Sequence, residues 1–203
     1  MIKPHDIALA LKYGTLALCP PEQQHAPGLR MGKPVSSRWL GDELGLSQSE
    51  VVKANVRLQA SKLISQNNQI IPNFAINTPF HLVTRNMTEW LCYGIRYYLP
   101  PEKAGIVRGM ATGWSCEYLD SEVVPPDIPL VWKKQFGDIS GEGIEPLYKN
   151  AALAALAASK DIKLYSLLAL IDIMRTGRPR ELNIAIKIIN NIMEDINNAQ
   201  LQL

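Results

Sequence analysis

Residues 37–64 read SRWLGDELGLSQSEVVKANVRLQASKLI, from Ser37 to Ile64. Ser36 or Ser37 is a natural N-cap, because a short hydroxyl side chain can accept a bond from an N–H that the first helical turn leaves unpaired. Trp39, Leu40 and Leu44 then recur on one face at helical spacing. Gly45 stands where a helix would end in the left-handed conformation. Ser47 and Glu50 make the Ser-x-x-Glu pattern of a capping box at the start of a second helix. Val51, Asn55 and Leu58 form the inner stripe of that helix. The stretch therefore predicts two short helices joined by a tight turn.

Working outward, residues 4–18 predict a helix with Pro4 near its start and Ile7, Leu11 and Leu18 on one face. Pro20 to Pro34 is rich in Pro and Gly and predicts a loop of unusual length for a compact domain. After Ile64, the polar turn Gln66-Asn67-Asn68 lies between short β-prone pieces and predicts a hairpin, whose second strand Pro72 keeps short or at an edge. A further helix is predicted from about Asn86 to Leu99, opened by an Asn86-x-x-Glu89 cap pair and closed by Pro100-Pro101. Residues 102–150 hold many glycines and prolines and read as mostly loop, with a short strand at Leu130–Trp132. Asp161 to Arg175 and Arg180 to about Asn198 predict a closing antiparallel helix pair.

The chain has 203 residues, 47% of them hydrophobic and 20% charged, which suffices for a real core and excludes a disordered composition. The expected division is a domain over residues 1–85 and a helical, loop-rich assembly or partner-binding region over residues 86–203. There is no apolar run of about 18 residues, so no membrane span is expected. The N-terminus, interrupted by Asp6, Lys12 and Tyr13, reads as a first helix of a soluble protein rather than a signal peptide. Cys19, Cys92 and Cys116 are far apart, with no CxxC and no ligand-like spacing to His5, His25 or His81. That pattern fits a reducing cytoplasm and gives no zinc site. Residues 1–99 carry ten Lys and Arg against six Asp and Glu, or +4; residues 100–203 carry eleven against thirteen, or −2. A mildly basic front half suits a polyanionic partner.

Leu44-Gly-Leu-Ser-Gln-Ser-Glu-Val51, followed by Arg57-Leu58 and Leu63-Ile64, resembles the winged helix-turn-helix of bacterial transcription regulators, including the MarR type. The likeness covers roughly residues 36–72. Trp90-x3-Gly94-Ile-Arg-Tyr97, Glu145-Pro-Leu-Tyr148 and the run from Leu164 to Arg178 are similar to a largely uncharacterised group of bacterial proteins described as such regulators. The resemblance implies a mainly α fold: a winged helix-turn-helix domain with a short β-hairpin wing, then a loop-rich segment and the antiparallel helix pair. In such domains the second helix enters the major groove while the first braces it.

Transferred residue by residue, the resemblance makes Gln48, Ser49, Val52, Lys53 and Arg57 the outward set. Gln48 would pair with adenine, Lys53 and Arg57 with phosphate or guanine, and Val52 with a thymine methyl. Ser37 would offer its hydroxyl and helix N-terminal N–H groups to a phosphate. Asn67 and Asn68 in the wing would touch the DNA backbone or minor groove. Two positions depart from the pattern: Asn55 stands where an apolar residue is usual, and Lys62 where glycine is. A buried Asn55 would need a hydrogen-bond partner. Val52 and Val56 make the outward face partly apolar.

The expected function is a sequence-specific, dimeric transcription regulator, a repressor acting by operator occupancy, with double-stranded DNA as ligand and no cofactor. Dimerisation is expected through the 86–99 helix or the C-terminal pair, since two-fold symmetry matches a palindromic operator. The alternative is a protein-interaction module, antitoxin-like or a defence accessory, whose winged domain docks a partner encoded nearby; Val52, Val56 and the weak +4 favour it. Trp114, Trp132, Tyr148 and Tyr165 are candidates for an effector pocket. No nucleophile–base pair, metal cluster or phosphate loop points to an enzyme; Gly105-x3-Gly109-x3-Gly113 lacks the ending a phosphate loop needs.

Overall fold

The computed structural model describes residues 1–19, 33–69, 77–119, 126–134, 137–156 and 161–202. Helix α1 (Pro4–Ala17) is buried along almost its whole length, from Asp6 to Leu16. It is apolar around most of its circumference, as befits a helix covered on several sides. α2 (Ser37–Leu44), α3 (Gln48–Ala60), α7 (Ile162–Thr176) and α8 (Pro179–Gln202) all pack against it. The loop expected over 20–34 lies mostly outside the described residues; at its end, the Val35 amide donates to the Asn77 carbonyl at 2.7 Å.

The opening stretch folds as two helices and a turn. Ser36 is the N-cap of α2, its hydroxyl accepting from the Trp39 amide, and Gly45 closes α2 at φ 64°. That backbone conformation is open to glycine at little cost. Ser47 caps α3 through the Glu50 amide. The second half of the expected capping box is not formed, because the Glu50 carboxylate is bonded to His5 and Arg57.

After α3 the chain makes β1 (Ile64–Gln66), which pairs antiparallel with β2 (Phe80–Leu82), Ile64 opposite Leu82 and Gln66 opposite Phe80. This corrects the expected tight hairpin: the second strand lies at 80–82, and the connection spans residues 67–79. The expected strand around Pro72 falls among residues 70–76, outside the described ones.

The helix expected from Asn86 begins earlier. α4 (Thr84–Glu89) continues through a π-helical turn at Trp90–Gly94 into α5 (Ile95–Tyr98). Asn86 is not its cap; its side-chain amide donates to the Lys62 carbonyl at 2.7 Å, tying the helix to the end of α3.

The segment expected to be mostly loop is a sheet. β3 (Lys103–Ala111) pairs antiparallel with both β4 (Leu130–Lys133) and β5 (Ile139–Ile144), and β4 pairs parallel with β5, so the three strands close on one another. The glycines that argued against strands are what allow this closeness. A Cβ on Gly109 would lie 2.1 Å from the Trp132 carbonyl oxygen, so only glycine fits at that crossing.

α6 (Ala151–Ala155), α7 and α8 complete the fold, with Asp161 capping α7 through the Leu164 amide. Residues on both sides of the expected 85/86 boundary share one apolar cluster. It runs from Ile7, Leu40 and Leu58 through Met87 and Trp132 to Leu168 and Ile196. Among the described residues, no helix is long and apolar enough to cross a membrane.

Candidate functional site

The described residues around α3 fix its inner side and leave its outer side bare. Asp6 on α1, fully buried, receives Arg57 Nε and an Nη, each at 2.7 Å; the second Nη contact of Arg57 is to Glu50, at 2.6 Å. Glu50 also meets His5 Nε2 at 2.9 Å. These hydrogen bonds, first that from His5 and then that from Arg57, hold the Glu50 carboxyl down to about 2. One turn along, the buried Asn55 accepts from the Tyr13 hydroxyl at 3.0 Å. Burial pushes the Tyr13 phenol up, so it stays a donor. Asn55 thus has the partner its burial demands.

α3 ends in a Schellman motif. The Leu63 amide donates to the Leu58 carbonyl at 3.0 Å and the Lys62 amide to that of Gln59 at 2.9 Å. Lys62 holds the left-handed position at φ 56°, which is why glycine suits this site better.

α2 and the turn that follows it are held from distant parts of the chain. Lys12, 1% exposed, meets Glu43 of α2 and Asp161, each at 3.2 Å, with its ammonium 5.5 Å from the centre of the Trp39 ring. The Tyr148 hydroxyl donates to the Leu44 carbonyl at 3.2 Å, and Asn150 donates to the Gly45 carbonyl at 2.6 Å. Residues beyond position 145 therefore clasp the turn between α2 and α3. Sequence reading offered Tyr148 only for an effector pocket and gave Asn150 no role; a tyrosine and an asparagine carry no signal of so distant a partner.

What remains outside is a stripe of α3. Gln48, Ser49, Val52, Lys53, Val56 and Gln59 are exposed, Val52 at 50% and Val56 at 64%. At about 3.6 residues per turn, the two valines fall at the centre of this stripe, with Gln48 and Gln59 on one margin and Lys53 on the other. Arg57 is corrected: expected with the outward set, it is half-buried and turned back onto Asp6 and Glu50. Val56 was expected on the outward face, and Gln59 was not, although the spacing of Gln48 and Val52 extends to it. Ser37 is half-buried in the first turn of α2, next to the cap.

The two asparagines after β1 differ. Asn67 is committed to its own connection, donating to the Thr78 carbonyl at 3.0 Å and accepting from the Gln69 amide at 2.9 Å. Asn68 is exposed. On β2, the Gln200 carboxamide accepts from the Leu82 amide at 2.8 Å and donates to the Leu82 carbonyl at 3.0 Å, pairing the strand with α8.

Other chemistry in the fold is structural in character. His5, Asp6 and Glu50 place ligand atoms within 4.8 Å of one another. The Arg57 guanidinium already bonds both carboxylates and lies 3.5 Å from His5, so the chain supplies the cation there. Burial pushes the Cys92 thiol up to about 11 and raises Cys116 as well, the opposite of an activated nucleophile. Of the four aromatic residues considered for an effector pocket, Trp132 and Tyr148 are buried in the core. Tyr165 lines a cavity of about 320 Å³ with Tyr118, Lys134 and Asp138. The Trp132 indole donates to Asp172 at 2.5 Å, and Asp172 also receives Thr112 and Arg175, each at 2.8 Å.

Compared with known protein families, curated proteins and solved structures, the chain matches none of them.

Proposed function

We propose that this protein is a winged helix-turn-helix DNA-binding protein, a regulator rather than an enzyme, with α3 as its reading helix and the connection between β1 and β2 as its wing. The observation that carries the reading is the exposed stripe of α3. A helix of thirteen residues is locked on its inner side by Asp6 and Tyr13 and presents amide, hydroxyl, apolar and ammonium groups outward from a helix-turn-helix. The order α1–α2–α3–β1–β2 supports it, as does the +4 charge of residues 1–99. Gln48 and Val52 face base edges, and Lys53 reaches a phosphate. Arg57 takes no part in contact, its role being to orient α3. Ser37, at the α2 N-terminus, and Asn68, in the wing, meet the sugar–phosphate backbone.

The working unit is a homodimer that represses by occupying its operator. The exposure of Tyr93 and Tyr97, 69% and 81%, on the π-turn and α5 supports an assembly surface there. Such large exposed aromatics are what subunit interfaces cover. A light-scattering mass of one chain at micromolar concentration would remove the dimer from the reading.

Fluorescence anisotropy on duplex DNA from the protein's own upstream region, against scrambled duplex at two salt concentrations, tests the core of it. Specific binding that weakens with salt and drops on Lys53→Ala supports the proposal. A specific observation favours a second reading: Val52 and Val56 at the centre of the stripe would equally suit a protein surface. Absence of binding to either duplex would transfer the stripe to that role.

A further inference from the structure

We infer that α3 reads A·T pairs through the methyl groups of thymine, with Val52 and Val56 as the specificity-determining residues; this rests on the DNA-binding reading above. Guanine is most often read by an arginine or a lysine at the centre of a reading face, bonded to O6 and N7 in the major groove. α3 contains one arginine, Arg57, and its guanidinium is bonded to the fully buried Asp6 through two nitrogens and to Glu50. Asp6 holds it in the cationic form, raising an already high guanidinium pKa further. Releasing it would strand a buried carboxylate, so it does not swing out to a base.

With Arg57 withdrawn, the centre of the outward face is two valines, 50% and 64% exposed. An apolar group at the centre of a reading face has one apolar partner in the major groove, the C5 methyl of thymine. Val52 and Val56 stand one turn apart, about 6 Å along the axis, which matches thymines one or two base-pair steps apart at about 3.4 Å per step. Gln48, on the margin and at the first position of α3, is the residue type that pairs with adenine N6 and N7. Lys53, on the opposite margin, is placed for a phosphate. The face is built for A·T pairs and holds no guanidinium that would select guanine.

Deoxyuridine lacks only the C5 methyl of thymidine, which gives a direct test. Three duplexes of about two helical turns are compared by anisotropy at one fixed salt concentration: mixed-order A·T, the same sequence with every thymine replaced by deoxyuridine, and mixed-order G·C. The full chain and the Val52→Ala/Val56→Ala variant are both measured. These substitutions lie on exposed helical positions and remove no core contact, and circular dichroism checks the fold. The expected result is binding in the order thymine duplex, deoxyuridine duplex, G·C duplex. Loss of the methyls should weaken binding about fourfold each, or about fifteenfold for both. The variant should bind the thymine and deoxyuridine duplexes alike, at the affinity of the full chain for deoxyuridine. Equal binding of thymine and deoxyuridine duplexes by the full chain overturns the inference, including the case where A·T is preferred through groove shape. Binding to none of the three overturns the DNA-binding reading itself.

Discussion

The hydroxyl of Tyr13, on the buried helix α1, donates to the side-chain oxygen of Asn55, on the inner stripe of α3, at 3.0 Å. Together with the Asp6–Arg57 pair two turns of α1 earlier, this bond sets the rotation of α3 about its own axis, and so decides which residues face outward. An apolar residue at position 55 would pack in any of several rotations; a hydrogen bond accepts a narrow range of directions.

Tyr13→Phe should therefore cost about 1–3 kcal/mol, since it strands a buried amide rather than merely removing a bond. Asn55→Leu alone strands a phenol and should cost a comparable amount. The double variant Tyr13→Phe/Asn55→Leu should be nearer wild type than the sum of the two. Urea unfolding of all four proteins measures the coupling; strictly additive losses would mean that the bond contributes nothing.

Lys62 offers a gain. Its left-handed backbone, φ 56°, strains any residue with a Cβ, and Lys62→Gly should stabilise the protein by about 0.5–1 kcal/mol. Lys62→Val, β-branched, should destabilise it. A melting temperature unchanged by the glycine variant would show that the Lys62 side chain offsets the strain.

The Glu50 carboxyl sits at about 2 in the folded chain against an ordinary 4.5. A depressed carboxylate contributes stability that is complete above its unfolded value and is lost as pH falls through its folded one. Thermal stability should therefore decline between pH 4.5 and pH 2, and the decline should be shallower in Glu50→Gln. Parallel curves for the two proteins would exclude Glu50 as a contributor.

Asp172 and Arg175 are side chains with no exposure, paired at 2.8 Å, and Arg175 also donates to the carbonyls of Leu99 and Glu145. Arg175→Met leaves a buried carboxylate whose proton affinity burial already raises, and should cost about 3–5 kcal/mol. Because this pair ties α7 to the chain before β3 and after β5, limited proteolysis should open residues 99–145 first. Protection equal to wild type would place the ion pair outside the stability of the sheet.

What the sequence by itself determined lies within a few residues of each position. Pro4, Ser36, Gly45, Ser47 and Asp161 mark helix ends, and each stands at or beside an end in the structure, because capping and left-handed closure are settled by neighbours in the chain. The outward set Gln48, Ser49, Val52 and Lys53, implied by the resemblance, is exposed in the structure. Tertiary structure decided the rest. Whether Arg57 faces outward depends on Asp6, 51 residues away, because a long flexible side chain goes to the strongest partner within reach. β1 pairs with 80–82 rather than with the nearest β-prone piece. Residues 103–111, 130–133 and 139–144 form strands despite their glycines, since Gly109 is required by a carbonyl of another strand. Strand pairing and the direction of charged side chains are agreements between distant segments, and only the folded chain brings those segments together.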